Sequence, residues 1–405
     1  MSDSGYEFPP KFSPADPAVQ NDPYPVYASL RESWPLCRGG LGEWVVTRYA
    51  DVVAMLREPR LRNAFPPEYH RLSAGSGPAH ELMQRIMLHQ DDRRHSVLRN
   101  LFAPSFRPEG LSRLRARIRT FVDDLLTPIL AAGRLDVVRD LAFPLPVLVI
   151  LDIIGLDRAD RHEIRSRVVD LGKAFTASVA PHDRAAANEA AAWLREYVRS
   201  ALERRRQHPL DDLLSAAAAT TMKEIDEDEL VDNIVFLLFA GFETTSSSIA
   251  TAWAALLAHP DQLAILRRDP SLIPRAVEEF VRYDAPIQSR LRFVHEAVDV
   301  GGRTIKAGRM LLLLLGSANR DPRQFRRPDD LDVTRTPNVH VGFGAGDHYC
   351  LGAALARMEM AILLERMLTR IASMEPDGEP VRALNGPFRT LERLGMTLGP
   401  AHAAS

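Results

Sequence analysis

Cys350 stands in the stretch Phe343–Glu359, FGAGDHYCLGAALARME, behind two loop glycines and at the mouth of a run of strong helix formers. From Leu351 onward Ala, Leu, Arg, Met and Glu dominate, so the composition predicts a helix that begins at or just after the cysteine. The unpaired N–H groups and the dipole of a helix N-terminus favour an anion, which predicts a lowered thiol pKa and a thiolate suited to a soft metal. Gly344 and Gly346 let the loop turn tightly and approach a flat ligand, and Gly352 removes a side chain two residues after the sulfur. A buried structural cysteine is the plainer alternative for a single thiol. Zinc would need three or four Cys, His or carboxylate ligands at short spacing, and the only other cysteine, Cys37, is far away in sequence.

Three further groupings could do chemistry. Ala240-Gly241-Phe242-Glu243-Thr244-Thr245 interrupts an apolar helical pattern. Glycine there costs roughly 1 kcal/mol relative to alanine, and a threonine hydroxyl can bond back to the helix and bend it. A buried helix accepts that penalty where a group must pass close to its backbone. His95 and Arg99, four apart on one helical face, suit two donors to one anion. Glu279 and Arg282, three apart, can pair on one face, as many surface salt bridges do.

Taken in order, these stretches resemble the cytochrome P-450 family. Phe343, Gly346, His348, Cys350 and Gly352 match its heme-binding signature, F-x-x-G-x-H-x-C-x-G. The resemblance implies that Cys350 ligates the iron of heme b (iron protoporphyrin IX), cradled by Phe343, Gly344, His348 and Gly352. A thiolate ligand on heme iron favours O–O cleavage and oxidation of unreactive C–H bonds. Ala240-Gly241-x-Glu243-Thr244-Thr245 is similar to the family's oxygen-binding segment. Ala240 and Gly241 would then face the heme, Glu243 would relay protons and Thr244 would hydrogen-bond dioxygen. His95, Arg99 and Arg292 would bind the heme propionates. Glu279 and Arg282 match the family's structural E-x-x-R element and take no part in bond making. Where the family has a third, arginine arm for that element, this chain has Pro328-Asp329-Asp330-Leu331. Asp330 replaces the expected cation, leaving Arg335 or water to complete the group.

The elements that must hold these residues are mostly helical. A short apolar alternation, Glu43–Thr47, predicts a strand before a helix over Tyr49–Leu56. Residues 57–87 are rich in Pro, Gly and Ser and read as a loop, which by resemblance covers the substrate pocket and includes Phe65. Arg93 and Arg94 are candidates for docking an acidic electron-transfer partner. Helix follows helix from Arg107 to Glu203, with a short strand near Arg134–Val138 and with Phe175 in a region the family uses for substrate contact. The long helix is predicted from an N-cap at Asp226 to about Leu257. A further helix covers Ser271–Asp284, with Pro274 near its first turn. A strand-like segment then carries Gln288, Ser289, Arg290 and Arg292, the first three placed by resemblance near substrate. Arg290 is unusual beside an apolar pocket and calls for a carboxylate, from either propionate or substrate. Gly386-Pro387-Phe388-Arg389 resembles a last turn reaching into the pocket, with Phe388 as its contact.

The 405 residues contain no internal repeat or Gly/Ser-rich linker, so one domain over 1–405 is expected. The fold class is mainly α with small β-sheets (α+β), in the cytochrome P-450 fold, with heme between a long kinked distal helix and the proximal helix after the cysteine loop. The near balance of 51 basic and 53 acidic residues argues against nucleic acid as partner. Neither a signal peptide nor a bilayer-spanning apolar run is read from the sequence; the longest such run, Phe143–Leu156, is broken by prolines and Asp152. A cytoplasmic, soluble, monomeric enzyme with no membrane contact is expected. The resemblance implies a monooxygenase that inserts one oxygen atom of O2 into a small or medium organic substrate, in secondary metabolism. Oxidative coupling or ring formation without oxygen insertion is the alternative. Electrons would come from NAD(P)H through a separate ferredoxin or flavodoxin and its reductase.

Overall fold

The structure, a computed structural model, describes residues 11–176, 180–220, 224–384 and 388–399. Gly386 and Pro387 of the expected pocket turn lie outside the described residues. The chain folds as helices around one long member, Glu227–Ala258, with small sheets at the periphery. Asp226 caps that helix by accepting from the Glu229 N–H at 2.7 Å, and three acidic residues occupy its first turn. Both features stabilise the positive end of the dipole. Helical bonding is unbroken to Ala258, and Thr244, Ser247 and Ser248 bond back to the carbonyls of Ala240, Glu243 and Thr244. These are the hydroxyl back-bonds expected where the apolar pattern breaks.

By length and apolarity this helix could cross a membrane, which the sequence reading did not anticipate; most of it is buried inside the molecule. The apolar run after Phe143 is likewise a core helix, Pro144–Ile154, closed by Gly155 in the left-handed region. Its one charged residue, Asp152, pairs with Arg117 and Arg158.

Helix Tyr49–Leu56 forms as predicted, preceded by the strand Trp44–Val46. That strand joins a five-stranded sheet in the order Leu36–Arg38, Trp44–Val46, Met310–Leu313, Arg290–Val294, Leu61–Arg62. Only the Trp44–Val46 pairing with Met310–Leu313 is parallel. Strand Arg134–Asp136 pairs with Gly395–Leu398 near the C-terminus. Residues 57–87 are not a loop throughout. They include two helices, Pro67–Ala74 and Pro78–Arg85, each started by a proline in its first turn. Prolines read as loop markers act here as helix starts.

Candidate active site

The cysteine loop is built by backbone geometry that only glycine adopts readily. Gly344 and Gly346 have φ of 74° and 71°, and a Cβ on Gly346 would come within 2.9 Å of the Leu56 carbonyl oxygen. The turn returns on itself so that the Cys350 N–H donates to the Phe343 carbonyl at 2.9 Å. The helix proper spans Ala353–Arg370, so Cys350 lies just ahead of its first turn. Helix Ile273–Tyr283 is tied to this element by Arg357, which forks onto Glu278 at 2.5 and 2.9 Å and lies over the Phe343 ring at 4.4 Å.

The thiol does not titrate as the helix terminus alone predicts. Burial raises the Cys350 pKa, and this outweighs the bond from the Gly352 N–H and the nearby charges of Arg290, Arg99 and Arg357. Yet the cysteine retains open surface. A side chain that is both open and desolvated faces an enclosed space. Gly352 agrees, since a Cβ built there would meet nothing within 4 Å.

Cations gather around that space. Arg290 and Arg292 are two apart on strand Arg290–Val294 and so share a face. Burial and the charge of Arg290 lower Arg292 to about 10. Arg99 donates to the Tyr349 carbonyl at 2.8 Å. The His95 ring stacks on His348 at 4.0 Å between centroids. Burial, then the charge His348 would carry, lower His95 to about 4. His348 lies 3.4 Å from Asp91, a residue the sequence reading missed. As the residue before helix Asp92–Phe106, Asp91 reads as a simple cap. It accepts instead from the Asn63 and Ala64 N–H groups at 2.9 and 2.8 Å. Burial pushes its pKa up, but these bonds and His348 hold it well below the usual range. Arg93 and Arg94 pair with Glu224 and Glu229, and Arg93 remains largely exposed.

On the long helix, burial raises the Glu243 carboxyl to about 7, and its Oε1 is buried with no hydrogen-bond partner among the described residues. Beside it the Thr244 hydroxyl donates to the Ala240 carbonyl at 2.9 Å. Gly241 stands where no side chain fits: its Cβ direction is filled by Ile150, 2.6 Å from the Cδ1 atom. This glycine answers to the packing of helix Pro144–Ile154.

Glu279 and Arg282 form a fully buried fork at 2.7 and 2.8 Å. The third arm is Arg335, whose Nε is 3.1 and 3.0 Å from the two Glu279 oxygens. Asp330 contributes its backbone carbonyl to Arg282 at 3.1 Å.

Of the expected substrate contacts, Phe175 stacks on Phe239 at 4.4 Å, and Phe239 lies 5.6 Å from Phe388. Phe65 stacks on Tyr69 and meets His70 and His89 edge-on. Gln288 is turned toward the fold, donating to the Ala285 carbonyl at 2.7 Å. Ser289 is half-buried just before the strand. Phe239 and His89 carried no motif signal, because only neighbours distant in sequence bring them to this place.

Among the described residues no cluster of three or more Cys, His, Asp or Glu could hold a metal ion. A metal held at Cys350 would therefore have to bring most of its own ligands. An enclosed thiol, an open glycine face and crowded arginines suit a flat dianionic macrocycle. The family model described as Cytochrome P450 matches residues 165–393, and the Biotin biosynthesis cytochrome P450 of Bacillus subtilis is 35% identical over 396 residues, covering 95% of this chain and 98% of that protein. The chain belongs to the cytochrome P450 family. The cytochrome P450 monooxygenase PikC of Streptomyces venezuelae is 37% identical over 369 residues, covering 89% of this chain and 86% of that one. The crystal structure of CalO2 superposes with a TM-score of 0.92 at 36% identity, covering 96% and 99% of the two chains. As a cytochrome P450 the protein is a heme-dependent monooxygenase that receives electrons from redox partners.

Proposed function

We propose that this cytochrome P450 inserts one oxygen atom of O2 into a small or medium organic substrate, by C–H hydroxylation or epoxidation, in secondary-metabolite biosynthesis. The observation that carries the reading is Cys350, a desolvated thiol with open surface beside Arg290 and Arg99. Cys350 is the thiolate ligand, and Phe343, Gly344 and Gly352 form its side of the cradle. His95, Arg99, Arg292 and His348 hold the two propionates. When bound, the heme supplies the dioxygen chemistry. Ala240 lines the oxygen side of the long helix.

Glu243 has the properties of a proton relay. Burial brings its carboxyl to about 7, so it can both accept and release a proton near neutrality. Thr244 carries a hydroxyl that can leave the Ala240 carbonyl and donate toward oxygen. The rings of Phe175, Phe239 and Phe388 supply apolar contacts that exclude water. Residues 1–405 act as one domain, monomeric and cytoplasmic, with electrons from NAD(P)H through a ferredoxin or flavodoxin and its reductase.

The test is the absorption spectrum of the reduced protein under carbon monoxide. A thiolate-ligated heme shows a strongly red-shifted Soret band that Cys350→Ala abolishes; a band unmoved by that substitution overturns the assignment. Turnover under labelled dioxygen then separates the reactions. Product carrying one labelled atom supports oxygen insertion, whereas unlabelled product marks coupling or ring formation.

A further inference from the structure

A hydrogen-bonded chain that the heme motif does not account for joins the cysteine loop to helix Ile273–Tyr283. That helix carries two adjacent carboxylates, and successive helical residues point about 100° apart. Glu279 turns into the buried fork with Arg282 and Arg335. Glu278 turns to the loop instead and accepts from Nε and Nη2 of Arg357 at 2.5 and 2.9 Å. His340 meets the same carboxylate, its Nε2 3.1 Å from Glu278 Oε2. The Gly342 N–H donates to His340 Nδ1 at 3.1 Å, so Nδ1 is bare and Nε2 holds the proton that Glu278 accepts. Burial raises the Glu278 pKa, but the bonds from Arg357 and His340 outweigh it and hold the group at about 2, so the carboxylate is charged.

The other end of the chain rests on two residues that hold the backbone of Cys350. Arg357 lies over the Phe343 ring at 4.4 Å and donates from Nη1 to the Tyr349 hydroxyl at 3.1 Å. Phe343 offers its carbonyl to the Cys350 N–H, and Tyr349 directly precedes Cys350. The Tyr349 carbonyl also accepts from Arg99 at 2.8 Å. The segment after His340 is packed tightly on the helix: a Cβ on Gly342 would meet Val281 Cγ1 at 2.5 Å and the Val281 carbonyl oxygen at 2.9 Å. The Arg357 guanidinium is thus fixed against the cysteine loop, with a charged carboxylate bonded to it.

We propose that the Arg357–Glu278 pair sets how readily the heme at Cys350 accepts an electron, with Glu278 and His340 as positioning residues that hold the Arg357 charge against the cysteine loop. Ferric iron, the porphyrin dianion and a thiolate sum to zero, and one added electron makes that unit an anion. A nearby cation favours the reduced state and a nearby carboxylate disfavours it. Glu278 therefore offsets part of the Arg357 charge, and the pair fixes the net field at the loop. Both side chains are about a third exposed, 34% and 28%, so solvent screens them and the expected effect on the reduction equilibrium is severalfold. The inference rests on Cys350 as the heme ligand.

The test is a dye-mediated redox titration of the heme-loaded enzyme with no redox partner present. Arg357→Gln should lower the midpoint potential, making reduction severalfold less favourable. Glu278→Gln, which keeps the side-chain shape and leaves the Arg357 charge unopposed, should raise it, making reduction severalfold more favourable. Arg357→Lys should stay nearer the wild type than Arg357→Gln, and the double variant Glu278→Gln/Arg357→Gln should fall between the two single ones. His340→Phe, which removes the donor that orients Glu278, should give a smaller rise than Glu278→Gln. A merely structural pair would loosen the loop in either variant. Shifts of the same sign in Arg357→Gln and Glu278→Gln, no shift in either, or loss of the red-shifted carbon monoxide band from either would each overturn the proposal. A wild-type protein without that band would instead sink the Cys350 assignment, which keeps the two failures distinct.

Discussion

Arg335 completes the buried Glu279 carboxylate from 56 residues away, its Nε within 3.1 Å of both oxygens. Asp332 N–H and Asn338 Nδ2 add bonds at 2.9 and 3.2 Å. Glu279 therefore meets two guanidinium groups, although the position where the family has an arginine carries Asp330. Removing one partner of a buried ion pair costs about 3–5 kcal/mol. Arg335→Leu should lower stability in denaturant titration by that order. Asp330→Ala should change it by under about 1 kcal/mol, because Asp330 serves Arg282 through its backbone and its own ion pair with Arg327 is exposed.

Glu243 ties stability to pH. Its carboxyl is raised from 4.5 to about 7 by burial, so the folded state holds its proton more tightly than the unfolded chain. The penalty for ionising it is absent below about pH 4.5, grows as pH rises and is complete above about 7. Glu243→Gln should therefore stabilise the protein by up to about 3 kcal/mol at pH 8 and by almost nothing at pH 4, measured as the difference in unfolding midpoints. The same substitution should lower turnover by about a hundredfold, by loss of the proton-carrying group.

Gly241 offers a packing test. A Cβ there would lie 2.6 and 2.8 Å from the Cδ1 and Cγ1 atoms of Ile150, so Gly241→Ala should destabilise by about 1–3 kcal/mol through overpacking. Ile150→Val removes Cδ1. In a double-mutant cycle the pair should lose less than the sum of the two single changes. Strict additivity would show that Ile150 is not the obstacle.

Two glycines of the cysteine loop should part company. Gly346 has positive φ and backbone within 2.9 Å of its Cβ direction, so Gly346→Ala should lower stability of the heme-free protein by about 1–3 kcal/mol. Gly352 has an ordinary φ of −86° and open space before it. Gly352→Ala should leave the heme-free protein unchanged within about 0.5 kcal/mol but reduce heme uptake in a titration, because the added methyl enters the cradle.

What could be read from the sequence was local. Asp226 as a cap, the helix Tyr49–Leu56 and the glycine loop before Cys350 each depend on residues within one or two turns, and all three are found. The motif residues gathered around Cys350 were legible for the same reason, as fixed spacings that a local backbone must satisfy. Tertiary structure decided whatever depends on dielectric or on partners far along the chain. Helix-terminus electrostatics alone predict a lowered Cys350 thiol, but enclosure by distant segments desolvates the sulfur and reverses the direction. The motif singles out Gly241, but that Ile150, from a helix some ninety positions earlier, fills its Cβ direction is decided only by the packing. The His89 ring is set in place by the Met83 carbonyl at one nitrogen and by Phe65, His70 and Phe175 around it, contacts that no motif spacing encodes. Spacing along a chain encodes turns and helix faces. Burial, and the charge state that follows from it, exists only once remote segments have excluded water.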